Sequence, residues 1–398
     1  MRILLTTTLA IMIGGTVLAD ELNLPDPLVA NDGTAITTLD QWKDGRREEV
    51  LELFREHVYG RRPQGMGTAS ETQNFVRPWV KNHRRYIVDV DNVDHGRARA
   101  EYVQIKYDAP RGSGELNMTV VYPSDVTEPY SLPAFLLICN RDPSNIDLTE
   151  NNGFWPWREI VRRGFVAAAF WNGEVDPDND DGFRNGVHGL FDPKNEPRPG
   201  DAWGTISAWG WGASLCMDYL AGNKWIDQTR VALVGHSRGG KTALWAGAED
   251  RRFGMIVSNE SGCTGAAIAR RMKGETIEKI NNGFPHWFNG NYKKYNGRDT
   301  ELPVDQHMLA ALIAPRLLYI ASAQEDSWAD PEGEFLSAYH ARPVYQLYGH
   351  DGLGDVSFPA VDKPVHGDRV GYHIRSGKHN LTKYDWRQYM RFADKHWK

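Results

Sequence analysis

VALVGHSRGGKTALWAG, residues 231–247, is the stretch that decides the fold. A short apolar run suited to a buried strand enters Gly235-His236-Ser237-Arg238-Gly239, and a helix-forming segment follows at once. This is G-x-S-x-G in the strand–turn–helix context that a nucleophile elbow requires. Glycines flank Ser237 because side chains in so tight a turn would collide with the neighbouring strand and helix. The same turn lifts the hydroxyl above the sheet, beside a helix N-terminus whose free N–H groups can bind an oxyanion. Ser237 is therefore the candidate nucleophile.

Outward from the elbow, strand-like and helix-like runs alternate. Before it come LPAFLLICN (132–140), a helix through 157–163, GFVAAAFW (164–171) and a helix over 204–223. After its own helix, from 239, come FGMIVSNE (253–260), a helix at 304–313 and RLLYIASA (316–323). A helix at 332–341, PVYQLYG (343–349) read as the last strand, and a final helix at 383–397 complete the series. Short apolar strands separated by amphipathic helices make βαβ units. The prediction is α/β: an α/β-hydrolase fold, a three-layer α/β/α sandwich with a mostly parallel sheet.

RYIVDVDNV (85–93), RARAEYVQIKYDA (97–109) and ELNMTVVYP (115–123) predict antiparallel strands at its N-terminal side. Ahead of them residues 39–60 predict a helix capped by Asp40, with Leu51, Leu53, Phe54 and Val58 at helical spacing. Residues 20–398 are expected to be one catalytic domain, with insertions at about 172–203, 261–303 and 349–380.

Composition narrows the partners. A net charge of −6 without any Lys/Arg-rich run offers no footprint for nucleic acid. Residues 1–19 read as a cleavable export signal: Arg2, an apolar run to Leu18, and Ala19 before Asp20-Glu21. A periplasmic or secreted protein is expected. No later stretch is long and apolar enough to span a bilayer, so no stable membrane insertion is expected. Cys139, Cys216 and Cys263 form neither a disulfide framework nor a metal cluster and read as buried apolar residues. The 14 Trp suit core filling and sugar binding equally well. A monomer is the default.

A nucleophilic Ser needs a base, and the base an acid, in the chain order Ser, acid, His. Glu260 follows the strand after the elbow, and Asp326 follows the next strand. Either could hold an imidazole. His350, His366, His373 and His379 all fall between the predicted last strand and the last helix, so order leaves four bases open. Thr382, whose side chain can cap the N-terminus of that helix, lies close to His379 in the sequence.

GHSRGGK (235–241), VSNESGCTGAAIARR (257–271), FPHWF (284–288), EDSWADPEGEF (325–335) and GYHIRSGKHNLTKYDW (371–386) together resemble the glucuronoyl esterases, carbohydrate esterase family 15, in their bacterial form. The resemblance runs through nearly all of the chain after residue 19. It implies cleavage of the ester between 4-O-methyl-glucuronic acid on xylan and lignin alcohols, with no metal or cofactor. The substrate would be a glucuronoxylan or lignin-carbohydrate ester.

By this resemblance Ser237 is the nucleophile and His379 the base. Glu260 matches the family's acid, and Asp326 the acid of many bacterial members. Arg238 would stabilise the oxyanion. Lys241 and Glu275 would face the uronate hydroxyls, Trp328 would border the sugar, and Trp287 would shape the rim. Fungal members carry a disulfide where this chain has His236 and Asn380, so packing and hydrogen bonds must anchor the loop here.

Within Glu174–Phe183, the spacing of Asp176, Asp178 and Asp180 is like the start of an EF-hand loop, but the Gly is one place late and the twelfth position lacks Glu. A solvated loop rimming the site is the better reading. Three rival functions are weighed. An acetyl xylan or feruloyl esterase of the same fold would not need Lys241, Glu275 and Trp328. A prolyl-oligopeptidase-type peptidase would need a propeller domain. A non-catalytic sugar binder would not need Ser, acids and His together.

Overall fold

Every residue of Met255–Asn259 and of Leu317–Ala323 is buried, as a strand covered on both faces must be. These are β7 and β8 of a sheet that has ten strands among the described residues. The computed structural model describes residues 22–67, 69–75, 93–150 and 152–398. The other strands are β1 (Glu71–Phe75), β2 (Ala98–Ala109), β3 (Gly112–Pro123), β4 (Leu132–Cys139), β5 (Val166–Trp171), β6 (Ile226–His236), β9 (Val365–His366) and β10 (Val370–Arg375). Their order is β1-β2-β3-β5-β4-β6-β7-β8-β10-β9. Pairing is parallel from β5 through β4, β6, β7 and β8 to β10, and antiparallel at both edges.

Alternation along each strand splits the core in two. Leu136, Ile138, Leu233, Ile256, Leu318 and Ile320 join one cluster, with helices α2 (Thr205–Gly222) and α3 (Arg238–Glu249). Phe135, Leu137, Val234, Met255, Val257 and Tyr319 join the other, with α1 (Trp157–Arg162) and α4 (Lys383–Trp397). Two helical layers therefore sandwich the sheet, and the α/β-hydrolase expectation holds. Most of the described Trp residues are core filler, Trp42, Trp209, Trp245 and Trp386 among them; Trp328 is half exposed. The three cysteines are free and buried.

Several expectations are corrected. PVYQLYG is not a strand: Arg342–Leu347 is helical, with Pro343 at its first turn and Val344 and Tyr345 buried. The last strand is β10, inside the stretch expected to be an insertion at 349–380. His373 and Arg375 disguise it, being polar residues at buried positions of a short strand. The helical stretch from Leu39 to Tyr59 is capped by Thr38 rather than Asp40, and Gln41 completes a capping box. β1, which pairs with β2, had no signal in its polar sequence ETQNF. RYIVDVDNV lies, except for Val93, outside the described residues.

Candidate active site

The elbow forms as the sequence requires. Ser237 joins β6 to α3 with φ 56° and ψ −127°, a conformation that L residues rarely adopt and that its surroundings must hold. Its N–H donates to the Asn259 carbonyl at 2.9 Å. The strict glycine is Gly235, where an added Cβ would stand 1.8 Å from the Gly239 carbonyl oxygen. Gly239 is less constrained, its nearest such contact being 3.4 Å; Gly240, outside the motif, would meet Ser261 at 2.9 Å. Gly235→Ala is thus expected to cost about 3 kcal/mol or more and to remove activity by displacing Ser237, read by thermal melting alongside turnover. Gly239→Ala should be milder.

With β10 as the last strand, His379 alone of the four candidates lies in the loop leading to α4. His350 pairs with Asp368 at 2.9 Å, and His366 sits 3.1 Å from the Tyr319 hydroxyl. His373 is buried between Tyr319 and Asp385. His379 Nδ1 instead lies 2.6 Å from Asp326 Oδ2 and 3.3 Å from Glu260 Oε2. Both predicted acids therefore converge on one imidazole nitrogen. Burial opposes the imidazolium, but hydrogen bonds to Asp326 and then Glu260 outweigh it and lift His379 to about 9. Burial pushes the Glu260 carboxyl up to about 7, against the pull of His379 and Arg375.

Glu260 itself has φ 47°, and its N–H donates to the Ala321 carbonyl at 2.7 Å. The Thr382 cap is present: the Asp385 carboxylate accepts both its N–H and its hydroxyl at 2.7 Å. Among the described residues, Glu260, Asp326 and His379 are also the one group close enough to share a cation. The Arg375 guanidinium, 2.6 Å from Glu260, already supplies positive charge there.

The two positions at which the family resemblance implies a fungal disulfide are joined here without sulfur. Arg141 Nη2 donates to Asn380 Oδ1 at 2.9 Å and lies 3.4 Å from His236 Nε2. His236 Nδ1 is 2.7 Å from Asn259 Oδ1. Burial holds the His236 imidazolium well below its usual range, so a neutral ring stands 4.4 Å from His379. Arg141 ties together the two positions at which the fungal cysteines would stand.

Arg238 is anchored, not free. Its Nε lies 2.6 Å from Asp178 Oδ2, and Nη2 donates to the Asn140 carbonyl at 2.9 Å. The acidic loop therefore rims the site but is not simply solvated. Asp178 also accepts the Trp287 indole N–H at 2.7 Å and lies 3.0 Å from His286 Nε2. Burial would raise the Asp178 carboxyl, yet His286, Trp287 and Arg238 together hold it below the usual range. Asp176 is buried, and the Thr205 hydroxyl donates to it.

Lys241 is buried, and its ammonium donates to the Ser261 and Cys263 carbonyls at 2.7 and 2.5 Å and to Glu275 Oε2 at 2.7 Å. It was expected to face a sugar directly; its three donors are instead committed inside the protein. Glu275 Oε1 accepts the Trp328 indole N–H at 3.3 Å, and Trp328 is 51% exposed. Trp287 is buried and stacks on Phe284 at 3.8 Å. A cavity of about 790 Å³ beside residues 182–203 is lined by none of the nine predicted site residues. Arg141 and Arg375 escaped the sequence reading, and Asp178 entered it only as part of the acidic loop, because each acts through a contact distant in the chain.

Fold and site define an α/β-hydrolase with a nucleophile elbow and a His flanked by two acids. Comparison with known proteins agrees. A family model described as glucuronyl esterase of fungi matches residues 164–349. The carbohydrate esterase MZ0003, from an unknown prokaryotic organism, is 38% identical over 94% of this chain and 89% of its own length. A solved glucuronoyl esterase from Solibacter usitatus superposes with a TM-score of 0.80 at 37% identity, covering 94% of this chain and 98% of that one. A CE15 glucuronoyl esterase from Teredinibacter turnerae gives a TM-score of 0.80 at 29% identity, covering 96% of this chain and 90% of that one. The chain belongs to the glucuronoyl esterase family, carbohydrate esterase family 15. It is a carboxylic ester hydrolase.

Proposed function

We propose that the protein hydrolyses 4-O-methyl-glucuronoyl esters that link xylan to lignin alcohols, through an acyl-enzyme on Ser237. The observation that carries this reading is the Nδ1 of His379 held by Asp326 and Glu260, on the loop expected to bring the base to the elbow. Ser237 attacks the uronate carbonyl while His379 takes its proton. His379 then returns that proton to the leaving alcohol, and water releases the acid by the reverse sequence. Asp326 and Glu260 fix the imidazole through Nδ1 and favour its charged form as the tetrahedral intermediate grows. The Arg238 backbone N–H, with its anchored guanidinium, stabilises the oxyanion.

Glu275 and Trp328 receive the sugar, Lys241 holds Glu275 in place, and Trp287 supports Arg238 through Asp178. The protein acts as a monomer and as one catalytic domain behind a cleavable export signal. Among the described residues, no helix is long and apolar enough to cross a membrane.

A solved relative, a promiscuous CE15 esterase from a marine bacterial metagenome, is 38% identical with a TM-score of 0.79. That name keeps a broader carbohydrate esterase as the second reading. Purified protein assayed on benzyl glucuronate and on acetylated xylan separates the two. Turnover of benzyl glucuronate well above that of acetyl esters is expected. Acetyl turnover with none on the glucuronate ester would overturn the first reading.

A further inference from the structure

Two buried carboxylates, Glu260 and Asp385, meet at Arg375, at the end of β10, which is only 5% exposed. Its Nε lies 3.2 and 3.1 Å from the two oxygens of buried Asp385, which sets the plane of the guanidinium. Nη1 donates to the Ser376 carbonyl at 2.9 Å. Nη2 faces Glu260 Oε1 at 2.6 Å, the Lys378 carbonyl at 2.9 Å and the Asn380 carbonyl at 2.6 Å. The second oxygen of Glu260 accepts the Asn380 N–H at 2.7 Å. The backbone on either side of His379 is therefore bound to a single ion pair. Asp385 is fixed in turn by Thr382 and by His373 Nε2 at 2.8 Å.

We propose that Arg375 is the positioning residue of this site: one guanidinium fixes the chain on both sides of His379 and turns Glu260 toward the imidazole. The inference rests on reading His379 as the base of Ser237. A buried ion pair alone would be weak evidence for any role, since apolar replacements are often as stable. What singles out Arg375 is where its bonds go: two of its acceptors are the carbonyls flanking His379. A planar fork with donors on three nitrogens reaches two carboxylates and three carbonyls, Nη2 sharing its two N–H groups among three of them; an ammonium has three donors at one point.

Arg375→Met and Arg375→Lys test this, with steady-state kinetics on benzyl glucuronate and thermal melting as the check on folding. Arg375→Met should lower kcat about 100-fold with KM changed less than about threefold, as expected for a misplaced base. Arg375→Lys should recover part of kcat. In the Arg375→Met background, adding Glu260→Gln should cost less than about threefold, because Glu260 is already misdirected, whereas Asp326→Asn should cost at least as much as in the parent, since it removes the one acid still in place.

Should Arg375→Met not fold, Arg375→Lys carries the test, with a loss of about tenfold in kcat at unchanged KM. Unchanged kcat, a loss confined to KM, a full Glu260→Gln penalty without Arg375, or failure of both variants to fold would each overturn the proposal. Full activity in Ser237→Ala or His379→Ala would instead sink the triad reading on which it stands.

Discussion

Ser237→Ala is expected to lower kcat by about 10⁴- to 10⁶-fold while leaving the melting temperature nearly unchanged. The large loss follows from the proposed mechanism: without the hydroxyl no acyl-enzyme can form, and His379 has no nucleophile to deprotonate. The small effect on stability follows from the position. What the elbow demands of the fold is its backbone at φ 56° and the glycine at 235, and Ala keeps both. The residue left over should be the weak hydrolysis that oxyanion contacts and substrate orientation support alone. Activity within tenfold of the parent would remove Ser237 from the mechanism.

The second large effect is expected when both acids are lost. Asp326 lies closer to Nδ1 than Glu260, at 2.6 Å against 3.3 Å. Asp326→Asn should therefore cost about 10²-fold and Glu260→Gln about tenfold, while the double variant should lose about 10⁴-fold, more than the product of the two. With one acid gone the other still orients the imidazole; with both gone its tautomer is no longer set.

The pH dependence has a defined sign. On the proposed mechanism His379 acts as a base only when neutral; its partners lift it to about 9, so kcat/KM should climb as pH rises through the neutral range toward that value. Asp326 is the foremost of the groups raising it. Asp326→Asn makes the imidazolium less favourable and should move the acid limb to lower pH even as the plateau falls. Because Glu260 titrates near 7 beside it, the limb reports the pair rather than one residue. A limb that stayed in place in Asp326→Asn would break the link between that acid and the base.

The parallel core was legible because burial on both faces writes itself as unbroken apolar runs, as in RLLYIASA and FGMIVSNE. β10 was not: GYHIR puts His373 and Arg375 at buried positions, and their partners Asp385 and Glu260 lie elsewhere in the chain. That one misplaced strand is why four histidines stayed open on order alone, and why the family resemblance was needed to choose among them. The turn that carries Ser237 between strand and helix was legible from its local sequence. The anchoring of Arg238 on Asp178, and the commitment of Lys241 to two backbone carbonyls and Glu275, depend on loops that no local pattern brings together.

The bridge from Arg141 to Asn380 and His236 frees the site from oxygen chemistry. A loop pinned by sulfur needs an oxidising compartment to close and opens to reductant; a loop pinned by a guanidinium needs neither. The cysteines offer no substitute chemistry, since burial pushes the Cys139 and Cys263 thiols up to about 12. Catalysis here should be indifferent to dithiothreitol, and the chain should reach its active form in a reducing cytosol as readily as outside the cell.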